Sequence, residues 1–237
     1  MKKKIRRKSK YKTVKKGKSS KKTYFALALL VAVSIFGVYF VLSGFPSIGS
    51  ILNKDPVVCI DAGHGGNDVG ASSGDRNEKD DNLRLALAVK TQLEAKGIKT
   101  VMTRDDDRYI SLDDRCKKAN RNRATLFVAL HRNSAKSGSG VEIWVNSDPS
   151  DTDNKLADNI LIYVDRVGIS QNRGVKSGYV GGADKDYYVN KNTKMPSCLV
   201  EMGFITNKED NELFDKNLDE YANAISQGIY DTLNNIS

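Results

Sequence analysis

Val57–Ala71, VVCIDAGHGGNDVGA, sets an apolar run against a glycine-rich turn, and the domain reads outward from that junction. Val57, Val58, Cys59 and Ile60 form the run, which closes on Asp61. Gly63, Gly65 and Gly66 then surround His64, one of only two histidines in 237 residues. A short apolar run bounded by turn residues reads as a buried strand. Leu83 to Lys96 carries Leu83, Leu85, Leu87, Val89 and Leu93 among charges, an amphipathic helix stopped by Gly97. Ile98–Thr103 reads as a second strand. Leu112 to Asn122 reads as a shorter helix, with Ser111 as N-cap and Asp113 and Asp114 in its first turn. Leu126–Leu130 is a third strand running into the other histidine, His131. Val141–Val145 alternates, which predicts a half-exposed strand. Asp153–Val167 reads as a helix, Leu199–Met202 as a late strand and Leu218–Leu233 as a closing helix. This alternation predicts an α/β fold: a single domain with a mostly parallel twisted sheet and helices on both faces. In such sheets ligands sit beyond the carboxyl ends of the strands.

The formal net charge of +9 is unevenly spread. Residues 1–22 hold 13 Lys or Arg and no acid, whereas residues 55–237 hold 24 basic and 29 acidic residues. The domain is therefore mildly acidic, and the basic character belongs to a tail. Tyr24–Phe45 follows as 22 mostly apolar residues without a charge. As a helix it would be about 33 Å long, enough for a hydrocarbon core of about 30 Å. It exceeds the about 7–15 apolar residues usual in a cleaved secretory signal. The expectation is one N-terminal transmembrane helix acting as an uncleaved anchor over residues 23–45, a linker over 46–54 and a folded domain over 55–237. The basic flank keeps the N-terminus in the cytoplasm and the domain outside. Cleavage near Ser43 to Ser47 would instead release a secreted domain. A tail beside a membrane span also removes the need for a nucleic-acid partner. Cys59, Cys116 and Cys198 lack paired spacing, so they suggest neither a disulfide framework nor a cysteine zinc site.

His64 follows the first strand and His131 the third, so both fall on the expected functional edge. Glu78 lies in RNEKDDN, and Glu201 sits among apolar neighbours in CLVEMGF. Two imidazoles and a carboxylate form a common zinc shell with one position open. A second carboxylate could then serve as general base, with partial burial raising its pKa. Each residue also has a plainer explanation. A single histidine is more often structural, Glu78 suits the first turn of any helix, and GHGG is a serviceable tight turn. The phosphate-loop reading lacks both GxGxxG spacing and a following Lys-Ser/Thr. Glu201 is hardest to dismiss, because a buried acid needs a partner or a task.

Taken together, these motifs resemble the zinc-dependent N-acetylmuramoyl-L-alanine amidases of the cell-wall hydrolase type called amidase-3, over about Val57 to Ile236. IDAGHGGNDVGA looks like the family's opening strand and first ligand, which falls on His64. NEKDDN resembles the segment carrying the glutamate ligand, Glu78. TRDDD and SLDDRCKKAN are similar to the strand end and helix that follow. LFVALHRNSA resembles the motif with the third ligand, His131, and MPSCLVEMGFITN the strand with the catalytic glutamate, Glu201. There are two departures: Arg132 stands where many members have a small residue, and Ser177–Lys194 is longer than usual and reads as a rim or lid. The resemblance implies hydrolysis of the amide between N-acetylmuramic acid and L-alanine in peptidoglycan, with Zn2+ as cofactor. Arg132, Asn133 and Arg173 are candidate substrate contacts. Peptidoglycan and the membrane are the expected partners, nucleic acid is not, and a protein activator remains an open class. Two alternatives stand beside it: a zinc peptidase cutting within the stem peptide, and a non-catalytic membrane-anchored wall-binding module.

Overall fold

The computed structural model describes residues 55–182 and 185–236. The expected tail, span and linker lie outside them. Among the described residues no helix is long and apolar enough to cross a membrane.

Strand β1 (Val57–Ala62) leads through the glycine turn and a two-stranded ribbon, β2 (Ser72–Ser73) and β3 (Arg76–Asn77), into helix α1 (Glu78–Ala95). Next come β4 (Lys99–Met102), α2 (Leu112–Arg121), β5 (Leu126–Asn133) and β6 (Val141–Val145). The chain continues through α3 (Asp151–Val167), β7 (Asn172–Ser177) and α4 (Tyr188–Asn192). It closes with β8 (Ser197–Phe204), α5 (Lys208–Lys216) and α6 (Leu218–Asn234). Caps begin two helices as their sequences suggest. Ser111 Oγ accepts the Asp114 N–H at 3.1 Å, and Ser150 and Asp153 form a reciprocal capping box ahead of α3.

The main sheet has the order β4-β1-β5-β8-β6-β7. β4, β1, β5 and β8 are mutually parallel, and β6 and β7 are parallel to each other, but β6 meets β8 antiparallel. The carboxyl ends of β1, β5 and β8 therefore share an edge with the starts of β6 and β7. One face packs Val58, Ile60, Val128, Leu130 and Val200 against α1, α3 and α6. The other packs Cys59, Phe127, Ala129, Trp144 and Leu199 against α2 and α4. Each fully buried Val, Leu, Ile or Phe contributes about 1.5–3 kcal/mol of transfer free energy, which makes these two layers the main support of the site above them.

The expected half-exposed strand at Val141–Val145 is instead buried at all five positions. β6 is internal, and its polar residue, Glu142, is held by Arg173 and Lys176 from β7 rather than by water. Helix α1 starts five residues before the expected Leu83, so that Glu78 is its first residue. Cys59, Cys116 and Cys198 are buried and unpaired, with no bridge between any two.

Candidate metal centre and active site

His64, Glu78 and His131 come from three elements. Glu78 opens α1, His131 lies on β5, and His64 occupies the turn after β1. His64 Nε2 lies 3.2 Å and His131 Nδ1 2.9 Å from the same oxygen, Glu78 Oε1. The rings stand edge to face with centroids 5.0 Å apart. One ligand atom from each residue falls within a 4.8 Å cluster, a donor set that can hold a metal ion.

The Glu78 carboxylate is anchored independently of the imidazoles. Its Oε2 accepts the Ala71 N–H at 2.9 Å, and its Oε1 accepts from Asn82 Nδ2 and the Arg132 N–H, both at 3.2 Å. Burial opposes its ionisation, but the two imidazoles outweigh burial and hold it well below the usual carboxylate range. Glu78 is thus at once the first residue of α1 and a member of the cluster. His64 Nδ1 lies 2.9 Å from Asp68 Oδ2, which leaves Nε2 facing Glu78. Burial lowers the pKa of His64, yet Glu78 and Asp68 together carry it up to about 9.

Two glycines make room for the cluster. A Cβ on Gly63 would lie 2.3 Å from the His131 ring, and one on Gly70 would lie 2.6 Å from Glu78 Oε2. His64 itself adopts φ 59°, a left-handed conformation unusual outside glycine. Two buried arginines grip this turn. Arg115 donates to Asp61 Oδ1, Ala62 O and His64 O, each at 2.7 Å. Arg104 donates to Ala62 O at 2.9 Å and to Gly63 O at 2.8 Å. Thr103 Oγ1 completes the arrangement by donating to Asp61 at 2.6 Å.

Glu201 pairs in register with His131 on one side and with Glu142 on the other. Its Oε2 is buried and has no hydrogen-bond partner among the described residues. Burial is the largest influence on it and pushes its pKa up to about 7, with the Glu78 and Glu142 charges adding to the rise. A cavity of ≈ 260 Å³ opens beside the cluster, lined by His64, His131 and Leu199 and walled by Tyr109, Tyr187 and Tyr188. The long segment before β8 thus contributes a wall through Tyr187 and α4.

The family match spans the same domain. A family model described as N-acetylmuramoyl-L-alanine amidase matches residues 58–235. The chain belongs to this family. Among its relatives is the uncharacterised protein YqiI of Bacillus subtilis, 39% identical over 178 residues that span 73% of this chain and 82% of YqiI. The amidase LytC of the same organism is 36% identical over 185 residues, 75% of this chain but only 36% of LytC. The endolysin of Bacillus phage SPP1 is 35% identical, with 66% of its length matched. Among solved structures, the catalytic domain of the amidase CwlV from Bacillus (Paenibacillus) polymyxa is 33% identical with a TM-score of 0.67. That match covers 76% of this chain and 98% of CwlV. The CwlD amidase from Clostridioides difficile, solved in complex with the GerS lipoprotein, is 27% identical with a TM-score of 0.64. Its match covers 76% of this chain and 98% of that one.

For an amidase-family chain, the three candidate substrate contacts lie in unequal places. Arg132 is a correction: its side chain is fully buried on the opposite face of β5 from His131. There it pairs with Asp81 at 2.5 Å, donates to Gly203 O and Asn211, and stacks 4.3 Å from the Phe214 ring. Side chains alternate along a strand, so the neighbour of a cleft-facing histidine must point away from the cleft. Asn133 Nδ2 donates to Glu142 Oε1 at 2.9 Å, and Arg173 Nε to Glu142 Oε2 at 2.6 Å. Glu142 is therefore the residue the sequence reading lacked. Its signal was the one that singled out Glu201, an acid within an apolar strand. Arg104 in TRDDD and Arg115 in SLDDRCKKAN carry no sequence signal that sets them apart from solvated surface arginines.

Proposed function

We propose that this chain hydrolyses the amide between N-acetylmuramic acid and L-alanine of peptidoglycan, with zinc held by His64, Glu78 and His131. The observation that carries this reading is the convergence of two imidazole nitrogens on one Glu78 oxygen, with the buried Glu201 Oε2, unpartnered among the described residues, one strand away. The donor set fits the ion. Zinc bonds of about 2.0–2.2 Å put the donors of a tetrahedral site about 3.3–3.5 Å apart. The 2.9 and 3.2 Å imidazole–carboxylate separations need only a small expansion to match, and all three donors lie within 4.8 Å of one another. Two imidazoles and a carboxylate also leave one position open, as catalytic zinc requires.

Zinc, when bound, polarises a carbonyl and lowers the pKa of water to about 7. The chain's own residues supply the rest. Glu201 Oε2 accepts a proton from the attacking water and delivers it to the departing alanine nitrogen, a role that its burial, which favours the protonated form, supports. The orphaned position of Oε2 keeps that acceptor free of competing donors. The cavity lined by His64 and His131 supports a place for the sugar–peptide junction beside the proposed metal ligands. The basic tail and the apolar run after it support a membrane-tethered domain facing the wall.

The test is digestion of purified peptidoglycan with zinc-loaded protein, chelated protein and Glu201→Gln, followed by mass analysis. The expected products are intact glycan strands and peptides with free L-alanine amino termini. They should disappear on chelation and fall by at least about 100-fold in the variant. Cuts within the stem peptide would move the reading to a peptidase. No zinc-dependent product, together with no bound zinc, would move it to a binding module.

A further inference from the structure

Glu142 carries more positive charge than it needs. Its Oε1 accepts from Asn133 Nδ2 at 2.9 Å and Trp144 Nε1 at 3.1 Å. Its Oε2 accepts from Arg173 Nε at 2.6 Å and Lys176 Nζ at 2.7 Å. One buried carboxylate thus holds two cations, and the pair leaves a net positive charge at the start of β6 and β7. Both cations are only partly covered, with side-chain exposures of 29% for Arg173 and 32% for Lys176. Burial alone would raise the pKa of Glu142, but Lys176, Arg173 and Trp144 reverse that and hold it below the usual carboxylate range.

The cations are also held in place rather than free to swing. Arg173 lies 5.1 Å over the Phe204 ring and Lys176 5.3 Å over the Trp144 ring. Arg173 commits only Nε, so its Nη groups have no hydrogen-bond partner among the described residues. A fixed guanidinium with its outer fork unused matches a planar carboxylate in two-point contact. Its position matters as much as its chemistry. Glu142 is the cross-strand neighbour of Glu201, so the cations stand one strand beyond the proposed base, toward β7. The ≈ 260 Å³ cavity, with exposed Tyr109, Leu112 and Tyr188, lies around the histidines on the α2 and α4 side.

We propose that Arg173 and Lys176, mounted on Glu142, form a binding site for a carboxylate of the peptide that leaves the cleft. The peptide then runs from Glu201 toward β7, and the site selects stems with a free acid near the cut over stems in which that acid is a carboxamide. This inference rests on the amidase reading above. A carboxamide has the same shape but no charge, and its NH2 group presents donors to donors.

The experiment uses the full zinc-loaded chain and two defined substrates, N-acetylmuramoyl-L-alanyl-D-isoglutamic acid and its isoglutamine counterpart. The expected result is a kcat/KM at least about tenfold higher for the acid, carried by KM rather than kcat. In Arg173→Gln and Lys176→Gln that ratio should fall toward one, and Arg173→Lys should restore part of it. If the unaltered chain cuts both substrates equally, the carboxylate site is wrong and the amidase reading stands. The site is equally overturned if the variants lower both substrates by the same factor, since the cations would then only neutralise Glu142. No cleavage of either substrate would overturn the amidase reading and this inference with it.

Discussion

Glu201 faces a conflict between stability and chemistry that can be read as a pH effect. Its carboxyl group is raised from an ordinary 4.5 to about 7 by burial. An acid raised in the folded state holds its proton there while the unfolded chain has released it. Folding stability therefore falls as pH climbs from about 4.5 to about 7 and is level above that. The shift corresponds to something on the order of 3 kcal/mol in the metal-free protein. Glu201→Gln should remove that fall, so the metal-free variant should gain on the parent as pH rises from 4.5 to 7. Urea melts at several pH values would check this, and parallel curves would show that burial does not weigh on Glu201 as the structure implies. His64 carries the opposite obligation. Asp68 and Glu78 raise it to about 9, so a metal arriving at pH 7 must displace a proton.

At the scale of elements, β4 and α2 each send an arginine under the turn that carries His64. Arg104 follows β4, and Arg115 lies on α2. A left-handed non-glycine residue costs of order 1–3 kcal/mol and persists only where its surroundings over-determine it. Arg115→Gln should therefore weaken zinc affinity by about 10–100-fold, as loss of a supporting partner typically does. Chelator competition would measure it, and unchanged affinity would show that the turn holds its shape without the clamp. The same scale explains what sequence could and could not reveal. β1, β5 and β8 were legible because each is a continuous apolar run, and the chemistry-bearing residues at their ends were legible with them. β7, NRGVKS, was not, because an edge strand whose single apolar residue is Val175 has no apolar pattern to display. α5 was missed too, since only Asp210 and Phe214 of its residues are buried. Arg132 was misplaced although alternation along β5 already assigned it to the far face. Nothing in one sequence tells which strand β6 will adjoin, and that is what decides whether Glu142 meets water or Arg173.

Across the whole molecule, the candidate site is an addition to a core that stands without it. Two apolar layers hold β1, β5, β8 and α1 in place, and Glu78 is already satisfied by Ala71, Asn82 and Arg132. Removing zinc should therefore lower the melting temperature without unfolding the protein. A ligand at about 1,000 times its Kd adds about 4 kcal/mol to a folded state. Calorimetry with and without chelator would show a downward shift with one cooperative transition retained. An unfolded metal-free protein would mean that the two layers cannot support the fold alone. The three cysteines give this core a further property. Cys59 and Cys198 are fully enclosed on β1 and β8, Cys116 is nearly so on α2, and burial pushes all three thiols upward, Cys116 to about 11. Thiols so protonated and shielded do not react while the chain is folded. Alkylating reagents should thus modify the protein only as fast as it opens, and that modification is a built-in clock for global unfolding that needs no engineered label.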